Sequence, residues 1–212
     1  IWLDLGKVLC DGKAGETITR YLSSGHSQGD AIVHLVNHPN RLPGMKSILT
    51  RVGCGLSNLI PCTDFSQLDD ILIAVEYDAG ENAKLAGAGF IITAQDGTRV
   101  GGFNTYMVYP PPHKLPRAGR VTFRVPARQF TPGAYFVTVS VGSHPAVLED
   151  KVEAAIRFVV HSADIYGTGY FLTAEDGVAA IGATVCIDSL PEGDILGDYP
   201  QMSGVCQHPM RV

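Results

Sequence analysis

Between about residue 46 and residue 161 apolar and polar positions alternate with a period of two, the pattern of strands with one buried face. Ile71, Ile73, Val75 and Tyr77 interleave with Leu72, Ala74 and Glu76. Val121, Phe123 and Val125 interleave with Arg120, Thr122 and Arg124. Tyr135, Val137, Val139 and Val141 interleave with Phe136, Thr138 and Ser140, and Ile156, Phe158 and Val160 with Arg157 and Val159. Gly89 to Thr93 is a further β run, and Asp96-Gly97 is a hairpin turn leading into Arg99 to Met107. Tyr109-Pro110-Pro111-Pro112 must leave the sheet, because proline donates nothing to a ladder, and Pro132-Gly133 makes a turn. Short strands separated by turns predict an all-β fold, an antiparallel β-sandwich whose two sheets bury one face each.

The flanks differ in texture. Trp2 to Cys10 reads as two short strands around a tight turn at Leu5-Gly6-Lys7, and Asp11-Gly12 is a second turn signal. Glu16 to Leu22 has helical spacing, and Asp30 is placed to cap a short helix carrying Ile32, Val33, Leu35 and Val36. The Pro- and Gly-containing stretch from Asn37 to Gly44 reads as a linker. After Ser162 the alternation fades into an acidic stretch whose one Lys or Arg is Arg211. It predicts an arm with one or two strands, the best at Ala179 to Ile187, rather than a second domain.

Composition narrows the function classes. With 45% apolar and 17% charged residues the chain is globular. A net charge of -5 argues against a nucleic-acid surface, which needs clustered Lys and Arg. No apolar run approaches the roughly 18 residues of a membrane span, and no secretory signal pattern is visible. The five cysteines, Cys10, Cys54, Cys62, Cys186 and Cys206, form no CxxC pair. They suggest neither a disulfide framework nor a zinc site, and read as reduced thiols of a cytosolic protein.

Three motifs point toward chemistry. Gly25-His26-Ser27-Gln28-Gly29 spells the G-x-S-x-G nucleophile elbow, which makes a serine hydrolase using Ser27 the alternative reading. The elbow needs a buried strand before the serine and a helix after it, whereas here a helix end and a polar loop precede it and antiparallel strands follow. His34 and His38 are four apart, a zinc-compatible spacing on a helix, but no Glu follows the first His and no third ligand is identifiable. Gly87-Ala88-Gly89 resembles part of a dinucleotide loop but runs into a strand, where small residues mark close packing. The polar strand faces are a softer signal: on pattern alone they read as a solvated outer face with one stray aromatic, or as a dimer contact, and their second reading is a sugar-binding surface. Phe136 supplies a ring for the apolar face of a sugar, Thr138 and Ser140 supply hydroxyls along the same face, and Arg124 and Arg157 supply guanidinium donors.

Two stretches carry a family resemblance. Ile1 to Gly12 followed by Glu16 to Leu22, with Tyr21, resembles the end of an ABC-transporter ATPase domain. Phe130 to Val141, Leu148-Glu149-Asp150, Ile156 to Val160 and Asp164 to Gly169 together resemble the C-terminal domain of polysaccharide ABC-exporter ATPase subunits of the O-antigen (Wzt) type. Val100 to Thr105 and the segment from Gly119 also fit, and His38-Pro39-Asn40-Arg41 resembles the link between the two domains. The resemblance implies an immunoglobulin-like sandwich with a short α/β N-terminal segment. It divides the chain into an ATPase remnant (1–24), a linker (25–45), a glycan-binding sandwich (46–170) and a tail (171–212) that is a candidate for exchange with a dimer partner. It also implies a homodimer that recognises a lipid-linked polysaccharide chain at the cytoplasmic face of the membrane, joined to a transporter membrane subunit through the full-length protein. A purely structural dimerisation arm of the exporter is the further alternative. No G-x-x-x-x-G-K-[ST] loop occurs, so this chain is expected to hydrolyse no ATP and to need no cofactor or metal.

Overall fold

The structure is a computed structural model that describes residues 1–4, 7–13, 17, 30–81, 84–109, 112 and 114–182. The chain opens with an antiparallel pair, β1 (Trp2–Asp4) and β2 (Lys7–Cys10), the two short strands expected there. The body is built from β3 (Ile32–His34), β4 (Leu49–Leu56), β5 (Asp64–Ser66), β6 (Asp70–Asp78), β7 (Gly87–Ala94), β8 (Arg99–Asn104), β9 (Ala118–Pro126), β10 (Gly133–His144) and β11 (Val147–His161). They form a four-stranded sheet in the order β3-β4-β6-β9 and a five-stranded sheet in the order β5-β11-β10-β7-β8. All pairings in the four-stranded sheet are antiparallel, and the short β5 joins β11 in parallel.

The period-two pattern does what the sandwich requires. Ile71, Ile73, Val75 and Tyr77 from one sheet and Tyr135, Val137, Val139, Val141, Ile156, Phe158 and Val160 from the other all belong to one buried cluster. Phe65, Phe130, Tyr135 and Phe158 close one end of it, with Tyr135 stacked on Phe158 at 5.5 Å and 22°. The Tyr135 hydroxyl donates to the Thr131 carbonyl at 2.6 Å, a tyrosine corner of the kind found in immunoglobulin-like sandwiches. Buried Gln67 is satisfied at both ends, donating to the Phe130 carbonyl at 2.7 Å and accepting from Ala163 N–H at 3.0 Å.

Two expectations need correction. The segment after Asp30 is a strand, not a capped helix. Half-buried Val33 lies between exposed Ile32 and His34, and β4 supplies the hydrogen-bond partners, including Cys54 N–H to the Ala31 carbonyl at 2.8 Å. The open edge of β4 outweighs a weak helical spacing in a stretch rich in β-branched residues. The zinc-compatible i, i+4 pair goes with the helix: His34 lies on β3 and His38 in the turn beyond it. The second correction concerns boundaries. The sheet begins at Ile32, inside the stretch expected as linker, and residues 171–180 fold back on the sandwich instead of leaving it. Leu172 is buried, Thr131 Oγ1 donates to the Gly177 carbonyl at 2.6 Å, and Ala179 bridges Phe130. Residues 1–180 form one compact unit. Ser27, the expected helix at Glu16–Leu22 apart from helical Thr17, and the expected strand from Ala179 to Ile187 beyond its first four residues lie outside the described residues; of those four, Ala179 forms an isolated bridge and 180–182 are irregular.

The segment entering the sandwich is clasped to β11. Asp150 is fully buried and accepts from Ile48 N–H at 2.9 Å, from Leu49 N–H at 2.7 Å and from the Arg41 guanidinium. Arg41 also donates to the carbonyls of Leu35 at 2.6 Å and Leu49 at 2.9 Å. Backbone bonds from Leu42 to Lys151 and from Lys46 to Glu149 continue the seam.

Candidate functional site

Alternation sends Arg51, Gly53 and Gly55 of β4, Leu72, Ala74 and Glu76 of β6, and Arg120, Thr122 and Arg124 of β9 to the outer face of the four-stranded sheet. Register then sorts them into rows across the strands. Arg51, Glu76 and Arg120 are aligned, with His34 of β3 opposite Arg51. Gly53, Ala74 and Thr122 form the next row, with Ile32 beside Gly53. Gly55, Leu72 and Arg124 form the third, with Pro61 beside Gly55. The middle row is built of small side chains, so the face sinks there. The result is a concavity of ≈ 170 Å³ whose lining includes Arg51, Gly53, Leu59, Leu72, Ala74 and Arg120. At a strand spacing of about 4.8 Å the floor of small residues runs about 10 Å across β4, β6 and β9, with exposed Ile32 at its β3 end, and each wall row stands about 6.8 Å from the floor row.

One wall is ionic. Arg51 grips Glu76 through two bonds, Nε to Oε2 at 2.8 Å and Nη2 to Oε1 at 2.7 Å, and Arg120 Nε donates to Oε1 at 2.9 Å. Two guanidinium groups on one carboxylate leave an excess positive charge and spare N–H donors, mostly on Arg120, the more exposed of the two. The other wall is apolar, made of Leu72, Pro61 and Leu59. Leu59 is 77% exposed and sits in the left-handed backbone region at φ 67°, which costs a branched residue free energy and turns its side chain out at the rim. Arg124, beside Leu72 in this row, is paired with Asp70 and is not part of the lining.

The Arg51 bond, joined by Arg120, holds the Glu76 carboxyl below the ordinary glutamate value of 4.5. A carboxylate lowered in the folded state stabilises the fold above its unfolded-state value and loses that contribution as pH falls through the lower folded value. Glu76→Gln is therefore expected to lower the urea midpoint at pH 7. The difference from the unmodified chain should shrink progressively below the ordinary glutamate range. A difference that persists unchanged in acid means that packing, not the carboxylate, is what the substitution removes.

The five-stranded sheet presents the other expected residues differently. Phe136, Thr138 and Ser140 do point away from the inter-sheet cluster, and Arg157 is opposite Phe136 on β11. Phe136, however, is only 1% exposed, so its ring is not offered to a ligand. Thr138 Oγ1 accepts from Ala154 N–H at 3.1 Å, at a bulge where Ala154 takes φ 42°. Arg124 lies on the other sheet, so the five expected site residues do not form one surface. Sequence reasoning singled out Arg124 and passed over Arg51, Glu76, Ala74 and Leu59. The signal that was available is the small outward-facing pair Gly53 and Ala74, whereas Gly55 is small for another reason: a Cβ there would sit 2.7 Å from the Ile60 carbonyl. Gly87 and Gly89 lie in β7 and serve close packing: a Cβ on Gly87 would sit 2.6 Å from the Tyr106 ring. Among the described residues no cluster suits a metal ion, and no helix is long and apolar enough to cross a membrane.

Fold and face together define a sandwich-type domain with a trough on one sheet. Residues 60–178 match the Wzt C-terminal domain, and the chain belongs to that family. Wzt is the ATP-binding subunit of an ABC transporter for polysaccharide export. The fold is similar to that of a crystal structure of the C-terminal domain of Wzt, with a TM-score of 0.52 and 12% identity, over 77% of this chain and 92% of that one. No curated protein sequence matches the chain.

Proposed function

We propose that this domain recognises a lipid-linked surface polysaccharide, O-antigen-like in character, for export by an ABC transporter, and that the trough on the four-stranded sheet receives the chain. One observation carries the reading: in a domain of a polysaccharide exporter, a row of small residues separates a wall of guanidinium donors from an apolar wall. Guanidinium groups donate to sugar hydroxyls, and aliphatic side chains cover the C–H faces of the rings. The floor crosses three strands, β4, β6 and β9, with Ile32 of β3 at one end, which suits more than one sugar unit. In this reading the domain works as a homodimer at the cytoplasmic face of the membrane, held to the transporter's membrane subunit through the full-length protein, and neither binds nor hydrolyses ATP.

The test is isothermal titration of the purified chain with surface polysaccharide from the source organism. Ala74→Leu fills the floor from the solvent side and is expected to weaken binding tenfold or more while the melting temperature holds. Arg120→Ala is expected to weaken it severalfold. Binding that is unchanged by both substitutions places the glycan elsewhere and overturns the assignment of the trough.

A further inference from the structure

Cys54 and Cys62 face each other across a short antiparallel pairing at the edge of β4. Beyond the end of β3 the chain turns through residues 57–60 and lays residues 60–62 along that edge. Gly55 bridges Pro61, Leu56 N–H donates to the Ile60 carbonyl at 2.9 Å, and Cys62 N–H donates to the Cys54 carbonyl at 3.2 Å. In that register Cys54 lies directly opposite Cys62. Directly opposed residues send their side chains to the same face. Here it is the inner one: Cys54 is in the buried cluster, and half-buried Cys62 packs against it. The pair shares one bond, since the Cys54 N–H is taken by the Ala31 carbonyl, and directly opposed antiparallel residues have Cα atoms about 4.5–5.5 Å apart, inside the range of roughly 4.4–6.8 Å that a disulfide spans. Both are free thiols, with Cys62 donating to the Asp64 carbonyl at 2.8 Å.

We propose that Cys54 and Cys62 are a reversible dithiol–disulfide pair that fastens the 57–61 turn to β4 under oxidising conditions. The oxidant is a low-molecular-weight disulfide. The Cys62 thiolate attacks it, the oxidant's S–S bond breaks, a mixed disulfide forms on Cys62 and one thiol leaves. Cys54 then gives up its proton and attacks Cys62 Sγ, releasing the second thiol. Two protein thiols are oxidised and one external disulfide is reduced to two thiols. Cys62 goes first because it reaches solvent, whereas burial pushes the Cys54 thiol up to about 12 and keeps it protonated.

The position gives the bond a consequence. Leu59 and Pro61, on the turn it fastens, form part of the apolar wall of the trough. Oxidation therefore fixes one wall of the site, and this consequence rests on the reading of the trough as the glycan site. The chemistry of the cysteines does not.

The experiment treats the native chain with oxidised glutathione, blocks remaining thiols by alkylation and reads the peptide from Val52 to Lys84 by mass spectrometry. Loss of two hydrogens, with neither cysteine alkylated, is the expected result. Cys54→Ala should instead trap a glutathione adduct on Cys62, and Cys62→Ser should leave Cys54 as a free thiol. A stable glutathione adduct on Cys62 in the unmodified chain, no reaction at all, or pairing of either residue with Cys10, Cys186 or Cys206 overturns the proposal. Polysaccharide titration of the oxidised and reduced forms should then differ at least threefold. A disulfide without that difference refutes the coupling to the trough. Absence of polysaccharide binding in both forms refutes the trough reading and leaves the disulfide standing.

Discussion

Asp150→Ala is expected to destabilise the domain by about 3–5 kcal/mol, the scale for removing one partner of a buried ion pair. The carboxylate has no exposed surface and accepts from three donors at once: the backbone N–H groups of Ile48 and Leu49 and the Arg41 guanidinium. Removing it leaves a guanidinium with 12% side-chain exposure without its counter-charge. It also leaves two buried N–H groups without an acceptor, each costing on the order of 1–3 kcal/mol where no water replaces the carboxylate. Those costs overlap, because the backbone near Leu49 is free to relax, so they do not add in full. Asp150→Asn keeps an acceptor and should recover part of the loss. Chemical denaturation of the three forms at pH 7 checks the order. A midpoint for Asp150→Ala close to that of the unmodified chain means that the clasp does not hold the entering segment to β11.

The clasp also shows what a linear reading of the chain reaches and where it stops. Alternation in β6, β9, β10 and β11 fixes which side chains enter the core, and every inward residue named from the pattern is buried or packed against the cluster. Direction within a strand is a local property, so it is legible. Register is not. Glu76 meets Arg51 and Arg120 at sequence separations of 25 and 44, and nothing in the local pattern says that these three share a row. The trough depends on that row lying next to Gly53 and Ala74, so its parts were visible and its assembly was not. Arg41 and Asp150 are 109 residues apart, and Arg41 lies in a stretch whose prolines and glycine read as a linker. Proline and glycine exclude regular structure, but they do not exclude a segment held by side-chain and backbone bonds to another strand. Asp30 failed differently. Capping chemistry and spacing favoured a helix locally, and the open edge of β4 supplied a competing set of backbone partners. For Phe136 the direction was right and the environment was not, because a period of two tells which way a ring points and not what covers it.

Phe136→Ala carries the second large effect, and it separates the two faces of the sandwich. Phe136 is 1% exposed although it lies outside the inter-sheet cluster. Truncating a buried phenylalanine removes its transfer free energy and leaves a cavity, at a cost of about 3–5 kcal/mol. The loss should appear as a lower denaturation midpoint. Phe136→Leu keeps most of the volume and should lose much less. If the trough on the four-stranded sheet is the glycan site, polysaccharide affinity should not follow stability. Titrated at a temperature where each variant remains folded, Phe136→Leu and Phe136→Ala should both bind as the unmodified chain does, because the ring lies on the other sheet. Ala74→Leu should show the reverse, with affinity lost and midpoint kept. A severalfold loss of affinity in Phe136→Leu at an unchanged midpoint would move the glycan to the five-stranded sheet. Arg157, opposite Phe136 on β11, would then become the first guanidinium to test there.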